Sequence, residues 1–286
     1  MNEDPYGFHV SQQIGEADFF AHLQRWKDQA AQTRQTQPKA ALDLHYGELP
    51  HQVLDYYPAP TTGRQLAPLH IFIHGGFWRR LSKNEFSWVV QNLQTQGISV
   101  AVINYGLAPH LRLDEIVDNT KKSFAWLWQQ ADQLLFDRQH ISVSGHSAGG
   151  HLAAMLLTTS WAAHHTHIPK QPFEHALLLS PLSDLAPIAA TPFLQADLHI
   201  TEQHIQHLSP VALVPNPGVK IMGAVGAKES RGFKDQLALL VESWRPHFHE
   251  VIELPQLNHL EVCDQIGQPD SALFKTWMQA LVACRT

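Results

Sequence analysis

Cysteine is almost missing from this chain: Cys263 and Cys284 are the whole supply in 286 residues. Two thiols build no disulfide framework, which excludes a small stapled secreted scaffold and fits a reducing, cytoplasmic compartment. Long apolar runs are missing too. Stretches such as Ala176-Leu177-Leu178-Leu179 have strand length, so neither a bilayer-spanning helix nor a membrane partner is expected. Charge of one sign is nowhere concentrated. Lys and Arg number 20 against 26 Asp and Glu, a net charge of −6 with His neutral. No basic cluster offers the surface that phosphate backbones need, which argues against a nucleic-acid partner. The opening Asn2-Glu3-Asp4-Pro5 lacks the basic-then-apolar order of a secretory signal. Internal repeats and low-complexity tracts are absent as well.

What is present is an ordinary globular composition, 44% hydrophobic with a mean hydropathy of −0.20. The length suits one large α/β domain over residues 1–286. Histidine is the exception, at 20 residues. His164, His165 and His167 cluster, as do His204 with His207 and His247 with His249. None forms an H-E-x-x-H pattern or joins a Cys pair at zinc spacing. A solvated His-rich surface is the expectation, with no metal or other cofactor required.

Residues 1–17 carry little pattern. Asp18 is placed to cap a helix through Phe19, Phe20, Leu23, Trp26 and Ala30, an apolar stripe at helical spacing within an N-terminal segment of residues 1–40. That stripe either closes a cap or meets a second copy in a homodimer. A polar break at 32–39 follows, then strands at 42–46 and 52–57 joined as a hairpin through Gly47 and Pro50. Beyond Pro58-Ala59-Pro60 and Gly63, strands and helices alternate. Strands are expected at 69–73, 98–103, 141–144, 176–180, 219–225 and 250–254. Helices are expected at 84–96, 113–135, 147–160, 232–244 and 270–284. Apolar runs without strict alternation indicate a mostly parallel, eight-stranded sheet covered by helices on both faces. Residues 161–208, interrupted by Pro169, Pro172, Pro187 and Pro192, read as a small cap.

The chemistry concentrates at Gly145-His146-Ser147-Ala148-Gly149-Gly150, directly after the apolar run at 141–144. A G-x-S-x-G motif between strand and helix lifts a serine hydroxyl out of the sheet on a sharp turn. Ser147 is the candidate nucleophile, and the helix that follows presents N–H groups and a dipole where an oxyanion would form. Two N–H donors are needed. One is Ala148, after the nucleophile. The other comes from Gly75, Gly76 or Phe77, which follow His74 after the third strand.

The serine needs a base, and His259 stands in the loop after the last strand, whereas His247 and His249 precede that strand. The acid that orients it should follow the penultimate strand, where Glu229 stands in Gly226-Ala227-Lys228-Glu229. Asp184, after the preceding strand, is the rival, and Asp235 lies too far into its helix. Ser147, Glu229 and His259 keep the nucleophile–acid–base order of this motif class. Cys263 has no elbow around it and reads as a small packing residue.

These residues resemble the arylformamidase (kynurenine formamidase) group of the α/β-hydrolase fold, which shares its motifs with small-ester carboxylesterases. His74-Gly75-Gly76-Phe77-Trp78 is similar to that family's HGGYW loop, with Phe77 in place of Tyr. Gly145 to Leu152 resembles GHSAGAHL, with Gly150 in place of Ala. Asn104-Tyr105-Gly106-Leu107-Ala108-Pro109, Ser183-Asp184-Leu185-Ala186-Pro187 and Leu208-Ser209-Pro210 resemble further family segments. The segment from Val225 to Phe233 with Gln236 is similar to the acid-bearing one, which favours Glu229 over Asp184. The likeness runs over about residues 42–284. One departure is Ser180-Pro181-Leu182, where the family often has Ser-Gly-Ile; if it borders the pocket, substrate preference shifts. The resemblance implies acyl transfer on a small-molecule substrate: a serine hydrolase cleaving N-formylkynurenine to kynurenine and formate. Phe77, Trp78 and Tyr105 either form an aromatic wall for the leaving group or pack against the cap. A carboxylesterase for short acyl esters and a binding protein with dormant catalysis are the alternatives. An intact set of Ser147, Glu229 and His259 speaks against dormancy.

Overall fold

A single sheet organises the computed structural model, which describes residues 4–60 and 65–282. Its strands are β1 Ala41–His45, β2 Val53–Tyr57, β3 Ala67–Ile73, β4 Ser99–Ile103, β5 Phe136–His146, β6 His175–Leu179, β7 Lys220–Gly226 and β8 Phe248–Leu254. They lie in the order β1-β2-β4-β3-β5-β6-β7-β8. The β1–β2 and β2–β4 pairs are antiparallel and every pair from β4 to β8 is parallel. β4 and β6 are buried along their whole length, as an apolar run between two helical layers requires.

The helices are α1 Val10–Ile14, α2 Glu16–Thr36, α3 Val90–Thr95, α4 Leu113–Leu134, α5 Ala148–Leu157 and α6 Trp161–His164. After these come α7 Ala186–Ala189, α8 Pro192–Leu198, α9 Glu202–Leu208, α10 Arg231–Ser243, α11 His259–Asp264 and α12 Ala272–Val282. Among the described residues none is long and apolar enough to cross a membrane. Gly63 and Cys284 lie outside the described residues.

Several expectations are corrected. The helix expected at 84–96 is broken into two 3₁₀ turns, Lys83–Glu85 and Ser87–Val89, before α3. Ser82 caps the first turn in a reciprocal box with Glu85, and the Tyr57 hydroxyl donates to Ser87 Oγ at 2.8 Å, so tertiary contacts fix this stretch. The N-terminus is committed well before residue 18. The Asp4 carboxylate accepts from the N–H groups of Phe8 and His9 at 2.7 and 2.6 Å, and Phe8 is buried against Phe77 and Phe233. The polar stretch from Gln32 continues as helix to Thr36. β5 begins at Phe136 rather than 141, and His249 falls inside β8, still at its N-terminal end.

α2 is clamped at two places. Near its C-terminal end Arg34 bonds Asp55 of β2, and Lys83 Nζ bonds Asp55 at 2.7 Å and Asp43 at 2.6 Å. Near its middle Trp26 Nε1 and Arg25 donate to the Asp264 carboxylate at the end of α11, at 2.5 and 2.7 Å. A charge as buried as Asp55 or Lys83 requires such partners.

Of the clustered histidines, His164, His167, His207 and His249 are exposed and His204 is buried, but the solvated reading does not extend to the rest. His70, His74, His146, His151, His175 and His259 are buried. His70 bridges Ser142 and Ser144 between neighbouring strands at 2.9 and 2.7 Å. Among the described residues no group of three or more His, Cys, Asp or Glu is arranged to hold a metal ion.

Candidate active site

Ser147 stands between β5 and α5 with φ 57° and ψ −119°, a strained conformation for a residue bearing a Cβ. The surrounding backbone enforces it. Ser147 N–H donates to the Leu179 carbonyl of β6 at 2.8 Å, and its own carbonyl accepts from His151 at 3.1 Å. A Cβ at Gly149 would overlap the carbonyl oxygen of Ile73, the last residue of β3, so only glycine lets the start of α5 lie against the neighbouring strand end.

The loop after β3 runs beside this elbow. A Cβ added at Gly75 would sit 3.2 Å from Ser147 Cβ. Gly76 has φ +112°, and its carbonyl accepts from both Arg79 and Arg80 N–H at 3.1 Å. Phe77 and Trp78 follow at φ 52° and 56°. The N–H groups of Gly76, Phe77 and Ala148 have no intramolecular acceptor among the described residues. Three donors beside a serine are thus left available.

Glu229 and His259 approach from β7 and β8. Glu229 follows β7 through a turn in which its N–H bonds the Gly226 carbonyl at 3.0 Å. His259 opens α11, whose preceding Asn258 caps Leu260 and Glu261 N–H groups. Glu229 Oε2 accepts from His259 Nδ1 at 2.6 Å, while Oε1 accepts from Ser180 Oγ at 2.6 Å and Gly226 N–H at 2.7 Å. A carboxylate on Nδ1 fixes that nitrogen as the protonated one and leaves Nε2 as the acceptor. Asp184 is occupied elsewhere: its carboxylate accepts from Ala186 N–H at 2.9 Å at the start of α7. Asp235 lies within α10 and pairs with Arg231.

Sequence reasoning missed several groups here. His146 Nε2–H donates to the His259 carbonyl at 2.8 Å, and burial, the largest cause, holds its pKa well below the usual histidine range. The Phe233 ring stacks on His259 at 3.9 Å. Ser180 was read only as part of a motif, yet its hydroxyl holds Glu229. Ser180 and Pro181 are absent from the cavity lining and buried behind it, so the Ser-Pro-Leu departure does not border that cavity. Cys263 is fully buried in α11, and burial raises its thiol well above the ordinary range, as packing predicts.

A cavity of about 290 Å³ opens on this constellation, lined by Ser147, His259, His146, Gly76 and Phe77. Phe8, Phe19, Phe20, Leu23 and Trp26 of the N-terminal segment, with Phe193 of α8, supply its apolar wall. Two of the three aromatics expected on that wall lie elsewhere. Trp78 is buried edge-on against His151 at 4.9 Å. Tyr105 stacks on His74 at 4.2 Å and donates to the His74 carbonyl at 2.8 Å. Both brace the Gly75–Gly76 loop from behind. His74 in turn donates from Nδ1 to the Gly75 carbonyl at 2.8 Å, and burial brings its pKa down to about 4.

The BD-FAE family model matches residues 54–177. A kynurenine formamidase of Salmo salar is 31% identical over 80% of this chain and 78% of its own length. One of Danio rerio is 29% identical over 91% and 88%. Among solved structures, a protein of Silicibacter sp. TM1040 provisionally assigned as a thioesterase is 25% identical, with a TM-score of 0.80 over 98% of both chains. Esterase B of Lactobacillus rhamnosis, 20% identical over 94% of this chain and 98% of that one, shares the fold with a TM-score of 0.69. With an eight-stranded sheet that carries the elbow at its centre, and with a relative this similar over most of both lengths, the chain belongs to the kynurenine formamidase family of α/β-hydrolases and is a hydrolase.

Proposed function

We propose that this enzyme is a serine hydrolase that deformylates an aryl formamide, N-formylkynurenine being the model substrate, through a formyl-enzyme. The observation that carries the reading is the 2.6 Å bond from His259 Nδ1 to Glu229 beside the Ser147 elbow. His259 Nε2 takes the Ser147 proton as Oγ attacks the formyl carbon. The carbonyl oxygen becomes an oxyanion held by Ala148 N–H and by Gly76 or Phe77 N–H. His259 returns the proton to the arylamine nitrogen as the C–N bond breaks. A water then attacks the formyl ester, giving its proton to His259, and formate leaves as Ser147 recovers that proton.

The cavity supports a small acyl group and an aromatic leaving group, because its volume is modest and its wall aromatic. The same machinery accepts a short acyl ester. Esterase LipC of Mycobacterium tuberculosis, 34% identical over 44% of this chain and 32% of its own, makes that the second reading.

Initial rates on N-formyl-L-kynurenine and p-nitrophenyl acetate, with Ser147→Ala beside the native enzyme, separate the two. Formamide turnover at a kcat/KM of about 10⁴ M⁻¹s⁻¹ or more is expected. Ester turnover alone replaces the first reading with the second. Activity that survives in Ser147→Ala overturns the serine mechanism.

A further inference from the structure

The site cavity is apolar over most of its wall, yet Arg79, Arg80 and Glu16 also line it. The two arginines differ in what holds them. Arg79 Nη1 bonds Asp197 and the Phe193 carbonyl, and its guanidinium lies 5.4 Å from the Phe193 ring centre. It is a clamp between the loop after β3 and α8. Arg80 is exposed and, among the described residues, has no ion pair and no side-chain hydrogen bond. Its backbone is nevertheless fixed, because its N–H donates to Gly76 O at 3.1 Å in the turn that also carries the unpaired N–H groups of Gly76 and Phe77. The main chain that carries this cation is therefore held in the same turn as the proposed oxyanion donors, with Arg80 on the cavity wall. Glu16, the first residue of α2, is exposed on the same cavity and also lacks an ion pair among the described residues.

We propose that Arg80 and Glu16 form a subsite for the zwitterionic amino-acid group of the leaving amine, the carboxylate on Arg80 and the ammonium on Glu16. The inference rests on the reading of Ser147 as the acyl acceptor and of N-formylkynurenine as substrate, and assigns the two side chains that recognise its amino acid. An unpaired guanidinium is suited to a carboxylate because it donates two parallel hydrogen bonds to it. The apolar wall strengthens the contact relative to open solvent. A ligand with a carboxylate alone would meet Glu16 without compensation, whereas an amino acid satisfies both charges.

Binding to the Ser147→Ala protein measures this without chemistry. The probes are N-formyl-L-kynurenine, its analogue lacking the amino group, and N-formyl-2-aminoacetophenone, which lacks the whole amino acid. By calorimetry at low ionic strength, the two carboxylate-bearing probes should bind about tenfold tighter than N-formyl-2-aminoacetophenone. Arg80→Gln should abolish that preference and Arg80→Lys restore part of it. Glu16→Gln should remove a smaller gain, about threefold, that the amino group gives. Equal affinity for all probes, binding of none, or a carboxylate preference that survives Arg80→Gln overturns the subsite. Turnover by the native enzyme is read separately. A preference without formamide turnover leaves the subsite standing and removes the proposed reaction.

Discussion

At the scale of single residues, Glu229 commits both carboxylate oxygens inside the protein, one to His259 and the other to Ser180 and Gly226. Replacing it by Gln changes little in volume but brings an NH₂ group that competes with His259 for the role of donor. The imidazole is then driven toward the tautomer whose Nε2 carries the proton, which cannot take one from Ser147. Glu229→Gln should therefore lower kcat by about 10³–10⁴ with little change in KM, measured by steady-state rates, because the cavity is untouched. A loss confined to KM would mean that Glu229 acts on binding instead. That Ser147, Glu229 and His259 come together was legible in the sequence, because each follows a strand and the order along the chain is constrained. Phe233 and His146 were not. What they do depends on contacts across the fold, and no spacing along the chain announces a ring 3.9 Å from His259. Trp78 and Tyr105 were misplaced for a related reason: after the positive φ of Gly76, Phe77 and Trp78, the sequence does not show which rings face the cavity and which face inward.

At the scale of elements, two of the departures from the family's motif pattern touch one another. Where the pattern has Ala in the elbow and Gly after the serine that follows β6, this chain has Gly150 and Pro181. A Cβ on residue 150 would lie 2.9 Å from both Cα and Cβ of Pro181, closer than packed carbons tolerate. Gly150 is thus what allows α5 to lie against a proline-bearing β6 loop. Gly150→Ala should cost about 1–3 kcal/mol of stability through overpacking. Adding Pro181→Gly should recover part of that loss, giving a coupling energy of at least about 0.5 kcal/mol in a double-mutant cycle read from urea midpoints. Strictly additive effects would show that the two positions do not meet. The elements themselves were legible where one face alone decides them: α4 and the parallel strands fall within a few residues of expectation. The stretch from Ser82 to Val89 was not, since its turns are set by Tyr57 from another strand and by the Ser82–Glu85 cap. Residues 8–17 were unreadable because Phe8 finds its partners, Phe77 and Phe233, far away in sequence.

At the scale of the whole molecule, buried histidine sets an acid limit. Burial lowers His70 to about 3 and His74 and His151 to about 4. In the unfolded chain each titrates near 6.5. Above that pH both states are neutral and the contribution to stability is complete. As pH falls below about 6.5 the unfolded chain binds protons that the folded one refuses, and each such histidine withdraws up to about 1.4 kcal/mol per pH unit until the folded value is reached. The urea midpoint should therefore fall steadily between pH 6.5 and pH 4.5, ahead of the range in which carboxylates such as Asp264, whose pKa is lowered, take up protons. A midpoint constant across that interval would refute the argument. Composition alone showed 20 histidines but not their burial, because an imidazole is as much at home bridging strand hydroxyls as facing water.

The clamp between Trp26 and Asp264 also bears on the order of assembly. These partners are separated by 238 residues, so this clamp on α2 closes only when α11 has been made, whereas the one from Arg34 to Asp55 joins segments made early. Until then the aromatic roof over Ser147 rests on Phe77, Phe86 and Trp88 without its distal anchor, and the loop-closure entropy of joining distant segments opposes early closure of that anchor. A ribosome-bound chain halted before α11 would hold a finished elbow under an open pocket, without its histidine. The proposed chemistry thus waits for the C-terminal part of the chain, and α2, although made early, is fully clamped only then.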